Sequence, residues 1–254
     1  MIVYIKSREE LEGFKLASKH AAEILEKLIK AAKPGVELRH LDELANKECK
    51  SRNIIPIFLN YNGFPGSVCL SVNEELVHGI PSDRTLKEGD VLTIDFGSNY
   101  NGYIGDTAET IVVGQKQNNL IKCCKKALME AIKLSVPGNK LNDIGRVISG
   151  IAKKNGYCIP YGYGGHGINR YELHGSPFVP NYEVIEKENI TLRKGMIIAI
   201  EPMFIDGTDN TTSVKDDNWT VVASGISAHC EHTIMVDKNP LILTKRGMDV
   251  KMCS

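Results

Sequence analysis

The chain has 254 residues, 31 Lys+Arg against 31 Asp+Glu, and is 42% hydrophobic. That length buries a full core as one large domain or two intimately packed halves, and a formal net charge of zero gives no reason to expect a nucleic acid or an acidic membrane as partner. No apolar run reaches transmembrane length, and seven cysteines without regular spacing or a Cys-x-x-Cys indicate neither a disulfide framework nor a zinc module, so a reducing cytoplasm is the expected compartment.

The amino terminus is charged almost at once, which argues against a signal peptide. Ser7 followed by Glu10 reads as a capping box opening a helix over roughly 7–32. Leu38, Leu41, Leu44 and Cys49 recur at helical spacing and predict a second helix over about 38–50. Strands are expected from about 57 to 113, then helices over roughly 119–134 and 141–154, the last carried by Leu141, Ile144, Val147, Ile148 and Ile151. Strands and loops complete the chain, with Gly207 to Asn218 reading as a surface loop. Cys123, Cys124 and Cys253 read as packing or exposed thiols.

Two stretches repeat each other. Leu86-Lys87-Glu88-Gly89-Asp90-Val91-Leu92-Thr93-Ile94-Asp95 returns as Leu192-Arg193-Lys194-Gly195-Met196-Ile197-Ile198-Ala199-Ile200-Glu201, each ending on an acid. Upstream, Pro34-Gly35 and Pro137-Gly138 each open a helix-patterned segment that leads to a proline, Pro56 or Pro160, and then to a His-Gly-x-Pro: His78 to Pro81, and His174 to Pro177. Copies this long exceed solenoid units. They predict one catalytic domain over 1–254 made of pseudo-symmetric halves, about 1–116 and 117–254, closing on one site where the acid-bearing strands meet.

Asp95 and Asp106 fall on one surface by arithmetic. Asn101-Gly102 between them is a two-residue hairpin signal. With that turn Tyr100 pairs with Tyr103 and Asp95 with Ala108, so side-chain alternation puts Asp106 on the face of Asp95, as its diagonal neighbour. Two carboxylates this close on an apolar hairpin repel unless a cation lies between them or the pair faces solvent. Glu201 precedes Pro202, which ends its strand, and Glu231 opens the apolar run His232 to Val236. His166 sits among glycines in Tyr161 to Gly167, where close backbone approach and positive φ aim an imidazole inwards from a tight loop. Four acids and one histidine form an oxygen-rich ligand set that suits Mn, Fe, Co or Zn. Five such ligands suit two ions about 3.5–4 Å apart.

Together with Ser67 to Glu74, His78-Gly79-Ile80-Pro81, Gly105-Asp106-Thr107, Gly165-His166-Gly167-Ile168, Ile200-Glu201-Pro202-Met203 and Glu231-His232-Thr233, the chain resembles the type I methionine aminopeptidases over essentially its whole length. The resemblance implies the α/β (α+β) pita-bread fold: two pseudo-symmetric halves and a central curved antiparallel sheet flanked by helices. It implies a dinuclear site of Asp95, Asp106, His166, Glu201 and Glu231, and removal of the initiator methionine from nascent proteins whose second residue is small. It also implies that His78 lies beside the scissile amide, that His174 steadies the developing oxyanion and that Glu201 is the acid/base. The methionine pocket would be Tyr61, Phe64, Cys69 and Trp219. A monomer is implied, with the ribosome as a candidate docking partner.

The chain departs from that pattern at Asn169, which replaces a glycine, and at Gly175, which replaces a glutamate. The run from His166 to His174 is one residue longer, His229-Cys230 stands where a Gln-aromatic pair is usual, and Phe58 replaces a smaller pocket residue. Two other readings compete. A proline-specific peptidase of the same fold usually carries an additional amino-terminal domain. A metal-free pita-bread binding protein typically lacks several ligands, and all five are present here.

Overall fold

The structure, a computed structural model, describes residues 2 and 4–247; Cys253 lies outside them. Helix α1 (Arg8–Ala31) begins at Ser7, whose hydroxyl accepts the Glu10 N–H at 3.1 Å. The Glu10 carboxylate takes the N–H of Lys6 rather than that of Ser7, so one arm of the expected box is displaced by a residue. Helix α2 (Leu38–Arg52) ends at Asn53 in the left-handed region, which turns the chain into β1 (Ile55–Pro56). The extended segment expected from 57 onward is instead a loop as far as Val68. Asn60, Asn62 and Gly63 hold φ of 65°, 50° and 90°, incompatible with a strand.

Strands β2 (Cys69–Val72), β3 (Glu75–Val77), β4 (Val91–Tyr100) and β5 (Tyr103–Val112) follow, then α3 (Asn119–Lys133) and α4 (Leu141–Lys154). The remainder is β6 (Gly164–Asn169), β7 (Glu172–Pro180), β8 (Ile197–Ile200), β9 (Met203–Asp206), β10 (Thr212–Val214), β11 (Val221–Ala223), β12 (Ile226–His229), β13 (His232–Met235) and β14 (Leu241–Ile242). Strand β10 falls within the stretch read as a loop. It is a short, mostly exposed strand paired with β11, too brief and too polar to show alternation.

All ladders are antiparallel. One sheet runs β1-β4-β2 with β5 on β4, and a second runs β14-β13-β8-β6-β7. The buried stripe of α1, from Phe14 through Ala17, Ala21 and Leu25 to Leu28, lies on β4 and β5. Each such leucine contributes about 1.5–3 kcal/mol by leaving water. Leu120, Cys124 and Leu128 of α3 and Ile144 and Ile148 of α4 pack in one core with Ile198, Ile200 and Ile234 of the second sheet. Cys124 is part of that core, and the six described cysteines are free thiols.

The two sheets are joined where β5 passes β13. Thr233 Oγ1 donates to the Asp106 carbonyl at 2.7 Å and accepts its N–H at 2.9 Å. Thr107 Oγ1 donates to the Glu231 carbonyl, and the Glu231 N–H to that of Ala108, both at 2.9 Å. These bonds tie one acid of each sheet to the same seam.

Candidate metal centre and substrate cavity

The β4–β5 hairpin has the register that its turn dictates: Tyr100 faces Tyr103, Asp95 faces Ala108 and Asp106 faces Gly97. Asp95 and Asp106 are diagonal neighbours on one face. In the second sheet the last β8–β13 pair is Ile200 with His232. One step further in that register, Glu201 and Glu231 stand opposite each other just beyond the ladder, Pro202 having ended β8.

His166 reaches the acids from β6, not from a loop. Its flanking glycines are there for close approach and not for positive φ: a Cβ on Gly165 would lie 2.1 Å from the Ala199 carbonyl oxygen, and one on Gly167 2.0 Å from that of Ser176. His166 Nδ1 lies 3.2 Å from the Gly167 carbonyl, which only accepts, so Nδ1 carries the proton and Nε2 offers its lone pair. Nε2 is 3.8 Å from Asp106 Oδ2 and 3.6 Å from Glu201 Oε1. Donor atoms of Asp106, His166 and Glu231 lie within 4.8 Å of one another.

The electrostatics match a cation site. Burial and Glu201 hold the Asp106 carboxyl up at about 8. Burial likewise raises Asp95 and Glu231, with the neighbouring acids adding to it, and raises Glu201. Burial pushes His166 down to about 3, leaving it neutral and fit to ligate. Asp95 Oδ1, Asp106 Oδ1 and Glu231 Oε1 are buried with no hydrogen-bond partner among the described residues. Such oxygens are costly without a proton or a metal, and a mixed carboxylate–imidazole set is what a transition-metal ion takes. The residues fit the group.

Above these acids opens a cavity of about 400 Å³. It is lined by all eleven residues expected to act as metal ligands, catalytic groups or methionine pocket: Tyr61, Phe64, Cys69, His78, Asp95, Asp106, His166, His174, Glu201, Trp219 and Glu231. Phe64 and Trp219 meet edge to face at 5.3 Å on one wall, with Cys69 buried near them. His174 is exposed at the mouth, its ring 4.5 Å from that of His166 and its Nδ1 3.0 Å from the Tyr61 hydroxyl. The β6–β7 register shifts between His166 and Gly167 and again between Gly167 and Asn169, and His174 lines the cavity. Burial lowers His78 to about 4.

The two His-Gly-x-Pro copies do not turn alike. His78 follows β3 at a φ of 59°, and the Gly79 carbonyl accepts the Leu70 N–H. His174 lies inside β7, where the next residue, Gly175, pairs with Gly167 of β6. Phe58, Val77, Tyr163, Phe178 and Met203 also line the cavity, and of these only Phe58 stood out in the sequence. His229 was visible only as a departure; the usable signal was an ionisable ring inside the apolar run Ile226 to Cys230.

Residues 12–238 match metallopeptidase family M24. The methionine aminopeptidase of Aquifex aeolicus is 41% identical, covering 96% of this chain and 100% of its own, and that of Clostridium acetobutylicum is 42% identical, covering 96% and 99%. The crystal structure of the methionine aminopeptidase from Rickettsia prowazekii superposes with a TM-score of 0.91 at 37% identity, covering 96% and 100%. The prolidase of Pyrococcus furiosus is alike in fold alone, with a TM-score of 0.72 at 23% identity and 95% of this chain matching 65% of that one. The mixed helices and antiparallel sheets described above are the pita-bread fold. With a family match over most of its length and near-complete coverage of relatives above 40% identity, the chain belongs to metallopeptidase family M24, in its methionine aminopeptidase branch.

Proposed function

We propose that this protein is a metal-dependent aminopeptidase that removes the N-terminal initiator methionine from nascent proteins when the second residue is small. The observation that carries the reading is the convergence of Asp106, His166 and Glu231, with unpartnered carboxylate oxygens, at the floor of a cavity with an apolar aromatic wall. Asp95, Asp106, His166, Glu201 and Glu231 would hold two divalent ions, of Co, Mn, Fe or Zn. When bound, the ions supply Lewis-acid polarisation of the scissile carbonyl and activation of water near neutral pH.

The chain's own residues divide the remaining work. Tyr61, Phe64, Cys69 and Trp219 hold the methionine side chain, which is unbranched and polarizable and so suits an aromatic slot. Glu201 takes the proton of the attacking water and returns it to the leaving amine; burial gives its carboxyl the raised proton affinity this requires. His174 donates to the carbonyl oxygen as it gains charge, oriented by its contact with Tyr61. His78 contacts the scissile amide and, with the acids close by, leaves room only for a small second residue. The chain acts as one catalytic domain over 1–254, with related halves about 1–116 and 117–254, as a cytoplasmic monomer for which the ribosome is a candidate docking partner. No helix among the described residues is long and apolar enough to cross a membrane.

Assay of Met-Ala-Ser, Leu-Ala-Ser and an X-Pro peptide, with and without added divalent metal, tests the reading. Metal-dependent cleavage of Met-Ala-Ser alone is expected. X-Pro cleavage would identify the proline-specific alternative, and no cleavage or metal binding the binding-protein alternative.

A further inference from the structure

His229 ends β12 two residues before Glu231 and lines the cavity beside Glu201. It is 1% exposed. Its backbone is gripped by one hydroxyl: Thr110 Oγ1 accepts the His229 N–H at 2.9 Å and donates to the His229 carbonyl at 2.7 Å. Thr93 in turn lies 2.8 Å from Thr110, so the ring's anchor belongs to the β4–β5 hairpin that carries Asp95 and Asp106. Neither ring nitrogen has a hydrogen-bond partner among the described residues, although Nε2 lies 3.3 Å from Glu201 Oε2. Two unmade bonds on a buried imidazole are costly, and an apolar side chain would fill the space without that cost.

We propose that His229 is a positioning residue for Glu201: a small rotation brings its Nε2–H onto Glu201 Oε2, leaving Oε1, which faces His166, as the oxygen presented to the metal centre. In this role His229 acts through Glu201, whose Oε2 lies 3.3 Å from its Nε2, and not on an ion. A carboxylate with one oxygen clamped has a single presentation; a free one exchanges its two oxygens and loses part of its affinity to that freedom.

The inference rests on the proposed metal centre, and the test separates the two. Mn²⁺ titration by calorimetry, with elemental analysis of metal bound, is made on wild type, His229→Leu and His229→Gln, and the melting temperature of each chelated protein is recorded. His229→Leu is expected to weaken Mn²⁺ binding by about 10–100-fold. His229→Gln, which keeps an N–H donor, is expected to restore most of it. The chelated melting temperature of His229→Leu should be unchanged or higher, since no native hydrogen bond is lost. Wild-type affinity in His229→Leu, or equal weakening in both variants, overturns the positioning role. Wild type that binds no Mn²⁺ overturns the metal centre itself.

Discussion

The two sheets bring their acids to the seam by different routes. In the first, Asp95 and Asp106 ride on one hairpin whose two-residue turn sets their diagonal placement. In the second, Glu201 and Glu231 are separated by β9 to β12 and become neighbours because β8 and β13 pair, standing opposite each other beyond the ladder's end. A local device and a long-range one thus each bring a pair of acids to the same cavity. The bonds of Thr107 and Thr233 register one sheet against the other.

The largest effect should come from dividing the metal centre between the sheets. Exhaustive chelation is expected to abolish Met-Ala-Ser cleavage, with Mn, Co or Fe restoring it. Asp106→Asn and Glu231→Gln are each expected to reduce bound metal from about two ions to one per chain. Stoichiometry lost from only one of the two variants, as measured by elemental analysis, would show that one sheet holds the metal alone.

Next in size is the pair of histidines from the unlike His-Gly-x-Pro copies. If His174 donates to the developing oxyanion, His174→Ala should lower kcat by roughly 10²–10³, about 2.7–4 kcal/mol, with bound metal unchanged. A near-normal kcat would mean that its place inside β7 removes it from the mechanism.

The seam itself comes next. Thr233→Val keeps the shape of the side chain but leaves the Asp106 N–H and carbonyl without their partner. Each unmet buried group costs roughly 1–3 kcal/mol, so with two unmet the denaturant unfolding of the chelated protein should show a loss of about 2–6 kcal/mol, with weaker Mn²⁺ binding alongside. A stability loss with wild-type metal affinity would mean that the sheets keep their acids aligned without this tie.

The smallest effect is a dependence on pH. In the chelated protein Asp106 is held at about 8, and Asp95, Glu201 and Glu231 also above the ordinary carboxylate range. The folded chain retains protons there that the unfolded chain releases, so these groups make stability fall as pH rises. His166 and His229 at about 3 and His78 at about 4 act in the opposite sense, but only up to the ordinary histidine value of 6.5. Between pH 6.5 and 8 the carboxylates act alone, and the melting temperature of the chelated protein should decline, with saturating Mn²⁺ cancelling the decline. A chelated melting temperature that rises over this interval would show that the acids are ionised without metal.

What adjacent residues encode was readable from the sequence. The Asn101-Gly102 turn and the period of two placed Asp95 and Asp106 together, helical spacing located α1 to α4 within a few residues, and the donor types pointed to a transition-metal site. Tertiary structure decided what depends on contacts between distant segments. Glu201 and Glu231 meet only because β8 finds β13, and His166 reaches them only because Gly165 and Gly167 let β6 approach β8 and β7 closely. The two His-Gly-x-Pro copies took different backbones, His78 leaving β3 at a φ of 59° and His174 lying within β7. His229 became chemically conspicuous only when its enclosed ring was found beside Glu201 without a bond. Periodicity and turn chemistry are local energies carried by neighbouring residues, whereas the convergence of Asp106, His166 and Glu231 is a property of how two sheets pack.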